Sequence, residues 1–394
     1  MRDPTPLAVA LLLLAIAPAT PAQQPAEAAL PADRIAALDA AFADAARKAG
    51  VPGASAAVAR GGTVVWRGAF GTRDRGADGE AAQAGSAGDD PAAPVDVHTL
   101  FQAASISKPI TALAVLRLCA DDVLDLDAPL PLQPGAVLLP RADGTGDAPV
   151  TLRRLLSHTA GTTVHGFPGY ALGAEVPTLA DVLAGRGNTE PIEVDLEPGT
   201  SHRYSGGGYC VVQRVLEAAR EQPFAALMQQ LVLGPCDMAD STFALPLPEA
   251  LVARAAHAHD QDGAPMAAAW YQHPEGAAAG LWTTPADLLR AALAAVAAQD
   301  GAEGALLPKD LADDMLSVQP GTEHQGLGWM VRREGTQWMV GHGGANQGFR
   351  CDLRLMGRDG DVVGCCVMVN CDRDDAVPAI LRSLLGAAMR PADK

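Results

Sequence analysis

Apolar residues recur at Ile35, Leu38 and Phe42, a helical spacing that predicts an amphipathic helix over 34–49. Two short β-like runs, 54–59 and 63–69, flank Arg60-Gly61-Gly62 and read as a hairpin. From 105 to 120 the only charges are Lys108 and Arg117, so this helix is apolar around most of its circumference and is buried on nearly all sides. Pro109 is tolerated only near a helix start, because deeper it removes a hydrogen bond and clashes with the preceding turn. Ser105 therefore stands at or beside the N-terminus. Val211, Val212, Val215 and Leu216 mark a further helix. Leu288, Leu289, Ala292, Leu293 and Val296 mark another, entered through Thr284-Pro285-Ala286-Asp287.

The C-terminal part turns β again. Segments 327–332 and 336–341 form a hairpin. Phe349, Cys351, Leu353 and Leu355 then alternate with Arg350, Asp352 and Arg354, the pattern of a half-buried strand. Asp359-Gly360 turns this strand into the apolar run 362–369, and Val377, Ile380, Leu381, Leu384 and Leu385 follow at helical spacing. If Met356 pairs with Asp361, Cys351 falls opposite Cys366. Strands thus come from both ends of the chain, with helices between. The class is α+β: one antiparallel sheet built from both termini, flanked by the terminal helices, with a mostly helical region inserted. The divisions are 34–97 and 319–394 for the two parts of the α/β domain and 98–318 for the helical domain. Segment 73–96, rich in Gly, Ala and Asp without an apolar period, reads as a surface loop.

Composition narrows the function. With 48% apolar and 19% charged residues, the chain is of folded, soluble type. A net charge of −17 argues against nucleic acid and anionic membrane as partners. Residues 1–22 read as an export signal: Leu7 to Ala17 is an uncharged run, Ala17-Pro18-Ala19 and Thr20-Pro21-Ala22 offer cleavage sites, and 23–33 is a linker. The run is too short to span a bilayer, so the mature chain is expected in the periplasm or outside the cell, without stable membrane insertion. Seven cysteines without CxxC spacing disfavour a zinc site and read mainly as buried thiols.

The chain carries four lysines against twenty-five arginines. One stands in Ser105-Ile106-Ser107-Lys108. Arginine keeps its proton in proteins, whereas lysine can lose it and serve as a base. Residues three apart on a helix share a face, so Ser105 and Lys108 bring a hydroxyl and an amine together on the first turn. A lysine ordinarily titrates near 10.4, and burial with a helix N-terminus favours its neutral form. The same N-terminus offers N–H groups to an oxyanion. By itself the pattern equally fits an N-cap serine and a surface lysine. Tyr204-Ser205-Gly206-Gly207-Gly208 sets a phenol, one of four in the chain, before a glycine run. It suits proton relay to a leaving group, or simply packing under a loop. His342-Gly343-Gly344-Ala345 follows a strand. Its glycines let a substrate lie along the edge, and the Ala345 N–H is placed to complete an oxyanion hole, although a lone histidine is often structural.

In order and spacing, Ser105-Ile106-Ser107-Lys108, Tyr204-Ser205-Gly206 and His342-Gly343-Gly344 resemble the motifs of class C β-lactamase-like serine hydrolases. These are penicillin-recognising enzymes that include family VIII esterases, D-aminopeptidases and DD-peptidases. Thr99-Leu100-Phe101-Gln102-Ala103-Ala104, Leu155-Leu156-Ser157-His158-Thr159-Ala160-Gly161, Glu197-Pro198-Gly199 and Ala279-Gly280-Leu281-Trp282-Thr283-Thr284 look similar too. The resemblance runs from about Gly53 to Asn370. It implies a β-lactamase/transpeptidase-like fold with the site in the cleft between domains. Ser105 would be the acylated nucleophile, Lys108 the base and Tyr204 its partner in proton transfer. The N–H groups of Ser105 and Ala345 would form the oxyanion hole, and no metal or organic cofactor would be needed.

Two departures bear on substrate. The family's third motif usually begins with a lysine that holds a substrate carboxylate, and here it is His342. The second usually ends in asparagine, and here it is Gly206. Both weaken anchoring of an anionic acyl-amide. Arg350 either replaces the lost charge or, the preferred reading, turns to solvent. The expectation is an exported hydrolase of small esters or amides. A β-lactamase or D-alanyl-D-alanine peptidase is the alternative, and a non-catalytic binder of cell-wall fragments a second one. Oligomeric state and the natural substrate are open.

Overall fold

The computed structural model describes residues 30–74, 93–130, 139–358 and 360–389. The proposed export signal and most of the 73–96 loop lie outside them. The helices that position the site are α1 (Ala32–Ala49), α2 (Ser107–Ala120), α3 (Gly206–Arg220), α4 (Pro285–Gln299) and α5 (Ala376–Ala388). The main sheet comprises β1 (Gly53–Arg60), β2 (Thr63–Gly71), β3 (Met330–Glu334), β4 (Gln337–Asn346), β5 (Phe349–Arg358) and β6 (Asp361–Val369). Its spatial order is β2-β1-β6-β5-β4-β3, with antiparallel neighbours. The join between the chain's two ends is β1 against β6, with Ala54 opposite Val369.

Strand alternation sends side chains to two cores. On one face Ala54, Ala56, Val58, Val363, Cys365 and Val367 pack with Leu38 and Phe42 of α1 and Ile380, Leu381 and Leu384 of α5. On the other, Leu353, Leu355, Cys366 and Met368 join the large core formed with α2, α3 and α4. Pro285 at the first turn and the Thr284 cap, whose side chain accepts from Asp287 N–H, explain where α4 begins. Although it belongs to the 98–318 stretch, α4 lies against the sheet and shares its core.

Three expectations are corrected. The β5–β6 turn occupies two residues, so Arg358 pairs with Asp361 rather than Met356. Cys351 is therefore opposite Met368 and Cys366 opposite Leu353, and all seven cysteines are free thiols. A two-residue shift preserves the faces, which is why alternation alone did not fix the register. The strand expected at 327–332 starts only at Met330, because Gly328 adopts φ +83° to bring its backbone against Lys108 and Pro109. Third, Arg350 does not turn to solvent, as described below.

Candidate active site

The serine sits on a strained turn. Ala103–Ala104 packs against the C-terminal part of β4, and Gly344 makes that approach possible: a Cβ there would lie 2.3 Å from the Ala103 carbonyl oxygen and 2.5 Å from Cys351 Sγ. Ala104 takes φ +47°, a left-handed conformation unusual for a residue with a Cβ. A 3-10 turn, Ala104–Ile106, then leads into α2 and leaves Ser105 part-exposed at its mouth.

One turn on, the Lys108 side chain is 2% exposed. Its Nζ donates to Ser105 Oγ at 3.0 Å and to the Ala278 carbonyl at 2.8 Å. Both acceptors are uncharged. The second belongs to the short helical turn Gly276–Ala279, which α2 and α3 hold from two sides. Thr111 Oγ1 donates to Ala277 O at 3.3 Å. Gln213 of α3 accepts from Ala277 N–H at 3.0 Å and donates to Pro274 O at 3.3 Å. Asn346, at the end of β4, donates to Ala279 O at 3.2 Å and to Gln102 Oε1 at 2.7 Å. The turn that carries the lysine's carbonyl partner is thus tied to α2, α3 and the end of β4.

Tyr204 precedes α3, whose N-cap Ser205 accepts from Gly208 N–H at 3.0 Å. Lys108 Nζ lies 5.0 Å from the Tyr204 ring centroid and 5.6 Å from that of Tyr209. The Tyr204 ring is surrounded by imidazoles, with His158, His165 and His342 centroids at 4.3, 4.9 and 6.1 Å. His342, on β4, donates from Nδ1 to Gly343 O at 2.6 Å, leaving Nε2 as the unprotonated nitrogen of a neutral ring. Burial, then the charge of Lys108, pushes its pKa down to about 4.

One cavity of about 500 Å³ is lined by Ser105, Tyr204, His342, Ala345, His165 and Arg350. A larger groove of about 790 Å³ follows the β3–β4 hairpin away from Ser105. Arg350 offers no free charge to the cavity. Its Nη1 binds Asp372 and its Nε binds Asp374, each at 2.6 Å, and Nη1 also donates to Asn346 O and Phe349 O. On the same strand Arg354 is paired with Asp352 at 2.7 Å. Gly206 leaves no vacancy, since a Cβ there would stand 2.9 Å from the Phe167 ring and 3.1 Å from the His165 carbonyl.

The structure thus brings Ser105, Tyr204, His342, Gly343, Gly344 and Ala345 to one cavity, with Lys108 buried behind Ser105 and Gly206 behind Tyr204. Sequence reasoning missed Ala278, Gln213 and Asn346. The stretches Phe101-Gln102-Ala103-Ala104 and Ala279-Gly280-Leu281 adjoin or contact two of them and carried the only signal.

The beta-lactamase family model matches residues 38–373. Esterase EstB of Burkholderia gladioli is 32% identical, over 74% of this chain and 77% of that protein. Among solved structures, SurE with D-Leu superposes with a TM-score of 0.66 at 25% identity, over 92% of this chain and 78% of that one. D-amino acid amidase from Ochrobactrum anthropi SV3, complexed with D-phenylalanine, gives 0.70 at 19% identity over 91% and 100%, a likeness of fold.

Proposed function

Since the chain belongs to the beta-lactamase family and is a serine hydrolase of that fold, of esterase or amidase type, we propose that it cleaves small esters or amides through an acyl-enzyme on Ser105. The observation that carries this reading is the Lys108 amine, buried, 3.0 Å from the Ser105 hydroxyl and otherwise bound only to a neutral carbonyl. Lys108 is the base to which the Ser105 proton passes while Oγ attacks the substrate carbonyl. The N–H groups of Ser105 and Ala345 receive the oxyanion. Lys108 and Tyr204 return the proton to the leaving alcohol or amine, and water then enters by the reverse relay to release the acid.

The substrate needs no carboxylate. His342 is neutral near pH 7, Arg350 is held by two aspartates, and Phe167 fills the space beside Gly206. These features favour simple esters over β-lactams. The apolar run Leu7 to Ala17 supports export; among the described residues no helix is long and apolar enough to cross a membrane.

The test is intact-mass analysis after p-nitrophenyl acetate or a fluorophosphonate, with Ser105→Ala as control. A Ser105 adduct is expected. Failure to label while a control esterase labels fully refutes the mechanism. A panel of short and long acyl esters, D-amino acid amides, nitrocefin and a D-Ala-D-Ala peptide tests the substrate. Preference for nitrocefin would overturn the ester assignment.

A further inference from the structure

His158 is buried, 2% exposed, and does not itself line the cavity. Its contacts converge on Tyr204. The His158 carbonyl accepts from Arg203 N–H at 2.8 Å, and its Nδ1 accepts from Ser205 N–H at 3.1 Å. The residues on either side of Tyr204 are therefore tied to one histidine. Between those two bonds the His158 ring lies against the Tyr204 ring, with centroids 4.3 Å apart and a tilt of 33°. Its other ring neighbours are His202, at 5.9 Å, and Tyr209, at 5.4 Å, whose hydroxyl donates to Leu156 O at 3.0 Å and so braces the same segment. Arg203 is further anchored through its side chain to Gly161 O at 2.8 Å.

The conformation of His158 is costly. It takes φ +59°, which a residue with a side chain adopts rarely and at a penalty. That φ aims the carbonyl and the ring at the same stretch of chain. The ring's protonation state is fixed by its bonding: an N–H can only donate, so Nδ1 is the acceptor and the hydrogen sits on Nε2, which is buried without a partner among the described residues. Protonating Nδ1 would break the bond to Ser205. Burial, followed by the charge of Lys108, pushes the imidazole's pKa well below its ordinary value.

We propose that His158 is the positioning residue for Tyr204: it clamps the backbone on both sides of the tyrosine and supports its ring, so that the phenol is held at the Lys108–Ser105 pair. This rests on the reading that Tyr204 takes part in proton transfer. Its effect passes through Tyr204 alone, and it appears in turnover rather than in substrate affinity.

The experiment is steady-state hydrolysis of p-nitrophenyl acetate by the full chain. The variants are Tyr204→Phe, His158→Leu, His158→Asn and Tyr204→Phe/His158→Leu, each checked by thermal melting. Tyr204→Phe alone tests the underlying reading: if it keeps full activity, Tyr204 is not a catalytic residue, whatever His158 does. Given a slow Tyr204→Phe, His158→Leu is expected to lower kcat by about tenfold or more, with KM within about twofold. It is expected to cost nothing further in the Tyr204→Phe background. Asparagine tolerates the left-handed backbone and carries an acceptor near the position of Nδ1, so His158→Asn is expected to restore most of kcat. An equal loss in both backgrounds, or a folded His158→Leu with unchanged kcat, overturns the proposal. Should His158→Leu fail to fold, His158→Asn decides: a folded variant with kcat down by more than about tenfold overturns it, and near-wild-type kcat supports it.

Discussion

Replacing Glu275 with glutamine should make the protein more stable, and only at high pH. Glu275 is 0% exposed, neither carboxylate oxygen has a hydrogen-bond partner among the described residues, and His273 Nδ1 stands 3.9 Å away. Burial raises the pKa from 4.5 to about 7. The folded state therefore holds this proton more tightly than the unfolded chain. The associated stability is fully present below about pH 4.5 and is lost as pH rises through about 7. At 1.36 kcal/mol per pKa unit the penalty for the ionised form is about 3 kcal/mol. With an unfolding entropy of about 2.1 cal/mol/K per residue, that is about 4 °C in Tm for a chain of 394 residues. Glutamine keeps the shape and removes the titration. Calorimetric scans should show wild type and Glu275→Gln melting close together at pH 5 and about 4 °C apart at pH 8.5, the variant higher. A gap independent of pH, or a variant less stable at pH 8.5, would refute the reasoning and imply that the carboxylate is paired in solution.

Lys108→Met should abolish turnover of any accepted ester, by about a thousandfold or more in kcat. Lys108→Arg should do no better, because a guanidinium does not give up its proton; undiminished rates would sink the acyl-enzyme scheme. Thiol titration of the native protein should find at most Cys119 reactive, and all seven cysteines after unfolding, as expected for free thiols of which six are buried. On the acid side, burial lowers His273 and His342 from 6.5 to about 4. The stability they contribute is present above pH 6.5 and lost as pH falls toward 4, about 3 kcal/mol each. Urea midpoints should fall across that window, and less so in His273→Gln.

Much of the site was legible because it is local. The spacing of Ser105 and Lys108, and the position of Pro109, fix a hydroxyl and an amine on the first turn of one helix. The glycines of β4 read as room for a substrate along the strand edge, whereas Gly344 makes room for the Ala103 carbonyl of the same chain. What the chain concealed depends on contacts between distant segments. Ala278 is 170 residues from Lys108, and nothing in an alanine advertises its carbonyl. His158 and Tyr204 belong to separate stretches, and neither pattern indicates that one braces the other. The Cys351 register was misjudged by two residues because both registers bury the same alternating set. Arg350 was misplaced because its partners, Asp372 and Asp374, lie beyond the next strand.

The sheet joins the first strands of the chain to the last. On a ribosome, β1 and β2 emerge some 300 residues before β6 is made to cover them, so the nascent hairpin needs shelter while the helical part is synthesised. The same arrangement makes the protein a natural subject for circular permutation. With α1 and α5 sharing one core, a linker between them and new termini placed between β2 and Phe101 would string all six strands along a single contiguous stretch of polypeptide. Such a rewired chain should reach its native state faster than the natural one, with the same residues around Ser105.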